Sequence, residues 1–263
     1  MIKVISLKSR PEWRYPSPAT GWFTYPECYV SAILLVIAGC VTCSAIGVLG
    51  QQATSSVASF PLDSVAGLEV FNGKAEVASY RGRRGVHLIA PPGRSDPEDN
   101  ESVHAFVAGV DFRDGTIEAD VAGAPIPGAP ADARGFIGID FRSQEHGVRT
   151  ESIYLRPTNG RADDQLRRNH SVQYDSLPDF PWFRLRKESP GVYESYTDLE
   201  AGAWTHMKIV VSGTKAALYV NGSNQPCLIV SDLRLGETHG QVGFWGEWST
   251  DAYFSKLTIR SDR

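Results

Sequence analysis

Beyond position 43 the 263-residue chain contains one cysteine, Cys227; the other three, Cys28, Cys40 and Cys43, lie in or beside one apolar run near the start. A domain built from the later residues therefore has no internal disulfide. Cys227 stands between Pro226 and Leu-Ile-Val, the setting of a small buried hydrophobe rather than a nucleophile. There is no CxxC and no HExxH, which leaves a structural zinc or zincin site unsupported. His87, His104, His146, His206 and His239 are scattered singly, without ligand spacing, so no transition-metal site is expected. Gly-rich phosphate loops, heptads and sustained helical periodicity are also missing. Positive charge is not in excess: 26 Lys and Arg face 30 Asp and Glu, a net charge of −4, which argues against a nucleic-acid partner. With 42% hydrophobic and 21% charged residues, a disordered tail or a coiled coil is excluded.

The charge that is present is unevenly placed. Residues 1–56 carry Lys3, Lys8, Arg10 and Arg14 against Glu12 and Glu27, a net +2, leaving −6 for the rest. A 22-residue uncharged run, YVSAILLVIAGCVTCSAIGVLG, follows and then the polar QQATSS. This is the order of a signal peptide with a small-residue cleavage zone near Val48-Leu49-Gly50. The run is also long enough for an N-terminal membrane anchor. A third option is a lipobox at Ile37-Ala38-Gly39-Cys40, although the residues after Cys40 stay apolar. All three options export the remainder, to a secreted, periplasmic or cell-surface location. Any membrane contact would run through this segment if it is uncleaved, and the sequence sets no oligomeric state.

From residue 57 onward, short stretches of period-two alternation are separated by turn residues. They fall at 74–80, 86–90, 116–121, 135–142, 151–156, 204–211, 216–220, 241–245 and 253–259. Asn72-Gly73, Asp114-Gly115, Ser212-Gly213 and Asn221-Gly222 suit tight hairpin turns. The expectation is one all-β domain, a jelly-roll sandwich of two antiparallel sheets. Three segments break the rhythm: the Pro/Gly-rich loops 91–101 and 123–134, and the long stretch 157–190 with charges, aromatics and four prolines. A loop of that length inside a compact domain usually has a function. The oxygen-rich Asp96-Pro-Glu-Asp-Asn-Glu101 is a weak Ca²⁺ candidate that lacks the Asp-x-Asp-x-Asp-Gly register, and no other cofactor is implied. Asn100, Asn169 and Asn221 stand in glycosylation sequons.

The strands Thr116-Ile-Glu-Ala-Asp-Val, Gly135-Phe-Ile-Gly-Ile-Asp-Phe-Arg and Trp204-Thr-His-Met-Lys-Ile-Val-Val, and the hairpin Ala217-Leu-Tyr-Val-Asn-Gly222, resemble a concanavalin-A-like lectin/glucanase domain. So do the C-terminal Gly240-Gln-Val-Gly-Phe-Trp and Ala252-Tyr-Phe-Ser-Lys-Leu-Thr-Ile. Their order is similar to that of laminin-G-like modules and of the DUF1080, or 3-keto-disaccharide hydrolase-like, group, over about residues 60–263. The resemblance implies carbohydrate binding or processing, and it leaves lectins, glycosidases, lyases and adhesion modules open. Glucanases of the family-16 type carry Glu-x-Asp-x-x-Glu on one strand. Here Glu118-Ala-Asp120 is followed by Val-Ala-Gly, without a third carboxylate.

Alternation assigns faces. In 136–142, Ile137, Ile139 and Phe141 share one side and Asp140 and Arg142 the other; in 153–156, Tyr154 and Arg156 lie opposite Ile153 and Leu155. If the two strands share a sheet, Asp140, Arg142, Tyr154 and Arg156 form one polar-aromatic face, suited to bidentate hydrogen bonds and stacking. The alternative is the ordinary wet side of an antiparallel sheet. The stretch from Arg156 to Glu194 adds Tyr174, Trp182 and Tyr193 for sugar-ring faces, and Asn159, Arg168, Gln173, Arg184 and Glu188 among groups able to bind hydroxyls. Between 160 and 190, six Arg and Lys nearly balance five Asp and Glu, which excludes a polyanion clamp. The alternative for this stretch is a salt-bridged flap anchored by Trp182 and Phe183. The catalytic candidates are Glu188, Glu194 and His170, with Asp140 and Asp175 behind them. Ser-Pro-Gly-Val-Tyr between Glu188 and Glu194 offers a turn that would bring those carboxylates together. An exported carbohydrate-binding protein or glycoside hydrolase is thus one expectation, and a non-catalytic laminin-G-type interaction module the other.

Overall fold

The computed structural model describes residues 56–92 and 102–262. The signal or anchor segment, most of the 91–101 loop with its Ca²⁺ candidate, and the Asn100 sequon lie outside the described residues.

Strands follow from the alternating runs. In chain order they are β1 (Ser56–Phe60), β2 (Leu68–Phe71), β3 (Lys74–Tyr80), β4 (Arg83–Ile89), β5 (Val103–Val107), β6 (Asp114–Pro125), β7 (Ile137–Gln144) and β8 (Arg149–Leu155). Then come helix α1 (Gln165–Asn169), β9 (Val172–Leu177), helix α2 (Trp182–Glu188) and β10 (Glu194–Ser195). The chain ends with β11 (Thr205–Ser212), β12 (Lys215–Val220), β13 (Leu228–Val230), β14 (Gln241–Gly246) and β15 (Thr250–Asp262). One sheet has the order β13-β12-β11-β6-β15-β4-β3 with β1 added on β15, and the other β10-β9-β8-β7-β14-β5-β2. All the pairings are antiparallel.

The two sheets form a sandwich closed by their apolar faces. Ile137, Ile139, Ile153, Leu155 and Val172 from one sheet and Ile117, Met207, Ile209, Leu218 and Leu257 from the other are buried in one cluster. Phe244 and Phe254 stack across the layers with ring centroids 4.5 Å apart. Each such side chain contributes about 1.5–3 kcal/mol on burial, which holds the sheets together without a disulfide.

The turns divide by residue chemistry. Arg81 and Gly82, both at positive φ (45° and 75°), close the β3–β4 hairpin, and Gly213 (φ 56°) lies in the β11–β12 turn. Asn72-Gly73 leads from β2 in one sheet to β3 in the other instead of closing a hairpin. Asp114-Gly115 does not turn the chain at all. It opens β6, where Gly115 lies so close to β15 that a Cβ would meet the Arg260 carbonyl oxygen at 1.9 Å.

The stretch 157–190 is not one long loop. It contains β9, an interior strand of the seven-stranded sheet, flanked by the short arms α1 and α2. β9 looks polar in sequence because only Val172 and Tyr174 supply its large core-facing groups, while Gln173 and Asp175 occupy the opposite face.

Candidate functional site

The register of the seven-stranded sheet brings two rows of side chains together on its outer face. One row runs Glu194, Gln173, Tyr154, Gly138, Trp245, His104, Phe71 across the strands. The next runs Asp175, Ser152, Asp140, Gly243, Phe106, Glu69. β7 is the middle strand, so Asp140 sits at the centre.

Two glycines shape this face. A Cβ on Gly138 would meet Trp245 Nε1 at 2.7 Å and Tyr154 Cβ at 2.6 Å. The space is taken by Trp245, which meets the Tyr154 ring edge-on at 5.1 Å and donates from Nε1 to Ser152 Oγ at 2.8 Å. Gly243 leaves the position between Asp140 and Phe106 without a side chain, and His104 crosses β14 to place Nδ1 2.8 Å from Asp140 Oδ2. A carboxylate only accepts hydrogen bonds, so His104 donates from Nδ1 to Asp140.

Asp175 is separated from Asp140 by the single strand carrying Ser152, a backbone separation of about 10 Å. It is 9% exposed, and among the described residues its carboxyl has no hydrogen-bond partner. Burial, and then the charge of Asp140, push its pKa up to about 8; Arg156 opposes this and Glu151 adds to it. Asp175 is therefore a neutral acid at pH 7.

A basic and aromatic cover lies beside it. Arg156 donates to Tyr154 Oη at 3.1 Å, Gln173 Oε1 at 3.2 Å and the His170 carbonyl at 3.1 Å, and lies 5.8 Å from the Trp182 ring centre. Glu194 accepts from Arg186 Nε at 2.7 Å and stands 3.0 Å from His170 Nε2. Burial lowers the His170 pKa against the upward pull of Glu194. A groove of about 410 Å³ is lined by His104, His146 and Val148 and by Leu177, Pro181 and Phe183. It therefore spans from β5 and the Glu145–Gly147 turn to the end of β9 and the start of α2.

The expected site divides accordingly. Asp140, Tyr154, Arg156, Gln173, Glu194 and His170 do gather on or beside this face, with Trp182 over Arg156 and 41% exposed. Arg142 does not belong to it. The strand bulges after Phe141 and Arg142 adopts φ 52°, so alternation fails there. Its guanidinium is fully buried and binds the carbonyls of Arg113, Gly213 and Gly236 and the Asp114 carboxylate, tying loops at one end of the sandwich. Tyr174 points into the core and donates to Glu151 Oε2 at 2.5 Å, while buried Tyr193 donates to Asp232.

Glu188 and Glu194 are not brought together. Glu188 is half exposed and pairs with Arg184 one helical turn away, in place of Glu194. Arg184 also donates to the Asp179 carbonyl, and Arg168 donates to Tyr196 Oη. Asn159 is buried and braces the flap through the His170 carbonyl and Arg167. The sequence reading passed over His104, Trp245 and Ser152. His104 alternates with Phe106 on a short strand, but nothing along the chain reveals that β5 lies two strands from Asp140. Among the described residues, no three His, Cys, Asp or Glu side chains are gathered as for a metal ion.

No protein-family model and no curated protein matches the chain. Among solved structures, it is similar to a protein of unknown function with a galectin-like fold from Bacillus subtilis, at 14% identity and TM-score 0.51, covering 78% of this chain and 96% of that one. It is similar to the Crh5 transglycosylase in complex with NAG at 12% identity and TM-score 0.51, covering 80% and 86%. A third is the carbohydrate binding module CBM66 from Bacillus subtilis, at 14% identity and TM-score 0.45, covering 74% and 92%. The chain thus has a galectin-like, concanavalin-A-like β-sandwich, and at these identities the likeness is one of fold.

Proposed function

We propose that the protein is an exported carbohydrate-binding or carbohydrate-processing protein, akin to the DUF1080 group, and that its ligand lies on the outer face of the seven-stranded sheet. The observation that carries this is the meeting of Trp245 and Tyr154 with Asp140, His104, Gln173 and Arg156 on one face, next to the 410 Å³ groove. Sugar rings need an aromatic surface for their C–H faces and planar polar groups for their hydroxyls, and here both come from neighbouring strands. The fold supports the reading in the limited sense that it also carries a transglycosylase.

A glycan array with the full chain, run beside a reducing-sugar release assay, tests it. Retention of one glycan class that Trp245→Ala weakens at least tenfold is expected. Retention unchanged by that substitution, or no retention, overturns the proposal. A peptide-binding module of laminin-G type is favoured by one feature, the exposed apolar lip of Val148 and Phe183 at the groove. Empty arrays together with capture of an apolar peptide by the groove would select it.

A further inference from the structure

We infer that the groove beside the sheet face takes the apolar part of an amphipathic glycoside, an alkyl or aryl aglycone whose sugar lies on Trp245 and Tyr154. The inference rests on the carbohydrate ligand proposed above and names the class to which that ligand belongs. His104 joins the two places. It lines the groove, and its ring stands 6.3 Å from that of Trp245 in the same cross-strand row. A ligand seated on the aromatic pair therefore has the groove at its side. At about 410 Å³ the groove falls within the range of small-molecule sites, roughly 300–1,000 Å³.

The lining selects against charge and against further hydroxyls. None of the lining residues carries a carboxylate, an ammonium or a guanidinium group. Leu177, Pro178, Pro181 and Phe183 supply an apolar side from the end of β9 and the start of α2. The polar side chains of the lining are Asn72, His104 and His146, and each already has a partner. Asn72 Nδ2 donates to the Ser102 carbonyl at 3.4 Å, His104 is held by Asp140 at 2.8 Å, and the His146 ring stacks on Phe71 at 4.4 Å. A second sugar ring, or a peptide with its N–H and C=O groups, would place polar atoms here with few partners to receive them. A hydrocarbon aglycone has no such atoms to satisfy.

The apolar lip is built for the rim and not for the core. Phe183 is 61% exposed and Val148 58%. Trp182 beside Phe183 is engaged by Arg156 and Arg186, which lie 5.8 and 4.7 Å from its ring centre, whereas Phe183 meets Trp182 edge-on and lines the groove. Val148 is presented by a turn in which Glu145, His146 and Gly147 all have positive φ, 52°, 58° and 93°. Left-handed backbone at two residues other than glycine costs free energy and persists only where the surroundings hold it. Here His146 rests on Phe71, and a Cβ on Gly147 would meet Phe106 Cζ at 3.1 Å and His104 Nδ1 at 3.7 Å. The turn is thus folded back over the outer face of the sheet, and its strain shapes the groove rather than the sandwich.

The test uses the full chain and follows, by calorimetry below the micelle-forming concentration, the binding of methyl, octyl and phenyl glycosides of glucose, galactose, mannose and N-acetylglucosamine. For at least one sugar, the octyl glycoside should bind about 10- to 100-fold more tightly than the methyl glycoside, the gain of about two or three methylene groups leaving water. The double substitution Phe183→Ser with Val148→Ser should shrink that preference to about threefold or less while the methyl glycoside is still bound and the thermal melt is kept. Trp245→Ala should weaken both glycosides alike. Octyl and phenyl glycosides bound within about threefold of the methyl glycoside by the wild type overturn the inference and leave the carbohydrate-binding proposal standing. A preference that survives the double substitution does the same. Tetraethylene glycol monooctyl ether bound as tightly as the octyl glycoside also overturns it, because the groove would then act apart from the sugar face. Binding of none of the glycosides overturns both.

Discussion

On the outer face of the eight-stranded sheet, Asp120 is held by Arg83 at 2.6 Å, by His206 at 2.9 Å and by Lys256 at 3.7 Å. Nearby, Tyr80, Tyr253 and His87 stack at 4.1 and 4.3 Å, and His87 reaches Asp251 at 2.8 Å. The outer face of the seven-stranded sheet contains the same residue types, but there Asp175 has no hydrogen-bond partner among the described residues and its pKa is raised to about 8. Burying an unpaired carboxyl costs stability, and a sheet face needs none for its ladder. The comparison teaches that carboxylates and aromatics do not mark a site by being present. A candidate site is marked where one of them is left without a partner.

The largest effect that would sharpen this contrast lies on β7 itself, where Asp140 and Arg142 are near neighbours with different tasks. Arg142→Met should cost about 3–5 kcal/mol in chemical unfolding, because the buried guanidinium that binds three carbonyls and Asp114 is lost. The molecules that remain folded should bind glycan as before; a specific loss of binding would return Arg142 to the ligand face.

Next in size is the pH response of Asp175→Asn. The folded carboxyl keeps its proton up to about pH 8, whereas the unfolded one loses it near 3.8. Wild-type stability therefore declines as pH rises between those values and levels off above them. Asparagine does not titrate, so the variant should gain about 2–3 kcal/mol on wild type between pH 5 and 7. Parallel stability curves would show Asp175 to be as well compensated as Asp120.

A matched pair compares the aromatics directly. Trp245→Ala should weaken glycan retention at least tenfold, whereas Tyr253→Ala, in the stack of the opposite face, should leave it unchanged; equal losses would abolish the distinction between faces. The smallest effect is expected from Glu188→Gln, which removes an exposed pair one helical turn long. It should cost no more than about 0.5 kcal/mol and leave sugar release intact.

Much of the sandwich was legible because its strands advertise themselves. Residues 74–80 alternate without interruption and form β3 with the same bounds, and the run 204–211 differs from β11 by one residue at each end. β9 was not legible, since an interior strand that presents Gln173 and Asp175 on its outer side and lies between prolines resembles a polar loop. Side-chain direction was read correctly for Asp140, Tyr154 and Arg156 and incorrectly for Arg142, because one residue of bulge reverses the alternation and leaves no trace in composition. Glu188 and Glu194 are close in sequence, but α2 directs the first to solvent and sheet pairing directs the second inward. His104 was hidden for the reverse reason, since its partner Asp140 is 36 residues away and only the strand order joins them.

Glu194 fastens two separate pieces of chain at once, α2 through Arg186 and the end of α1 through His170. The two arms thus meet at one buried carboxylate, while the α1 end is also held through the His170 carbonyl by Arg156 and Asn159. A guest that displaced Arg186 from beneath Trp182 would leave the buried Glu194 carboxylate with only His170 at 3.0 Å and Arg156 at 3.9 Å as its ionic neighbours among the described residues.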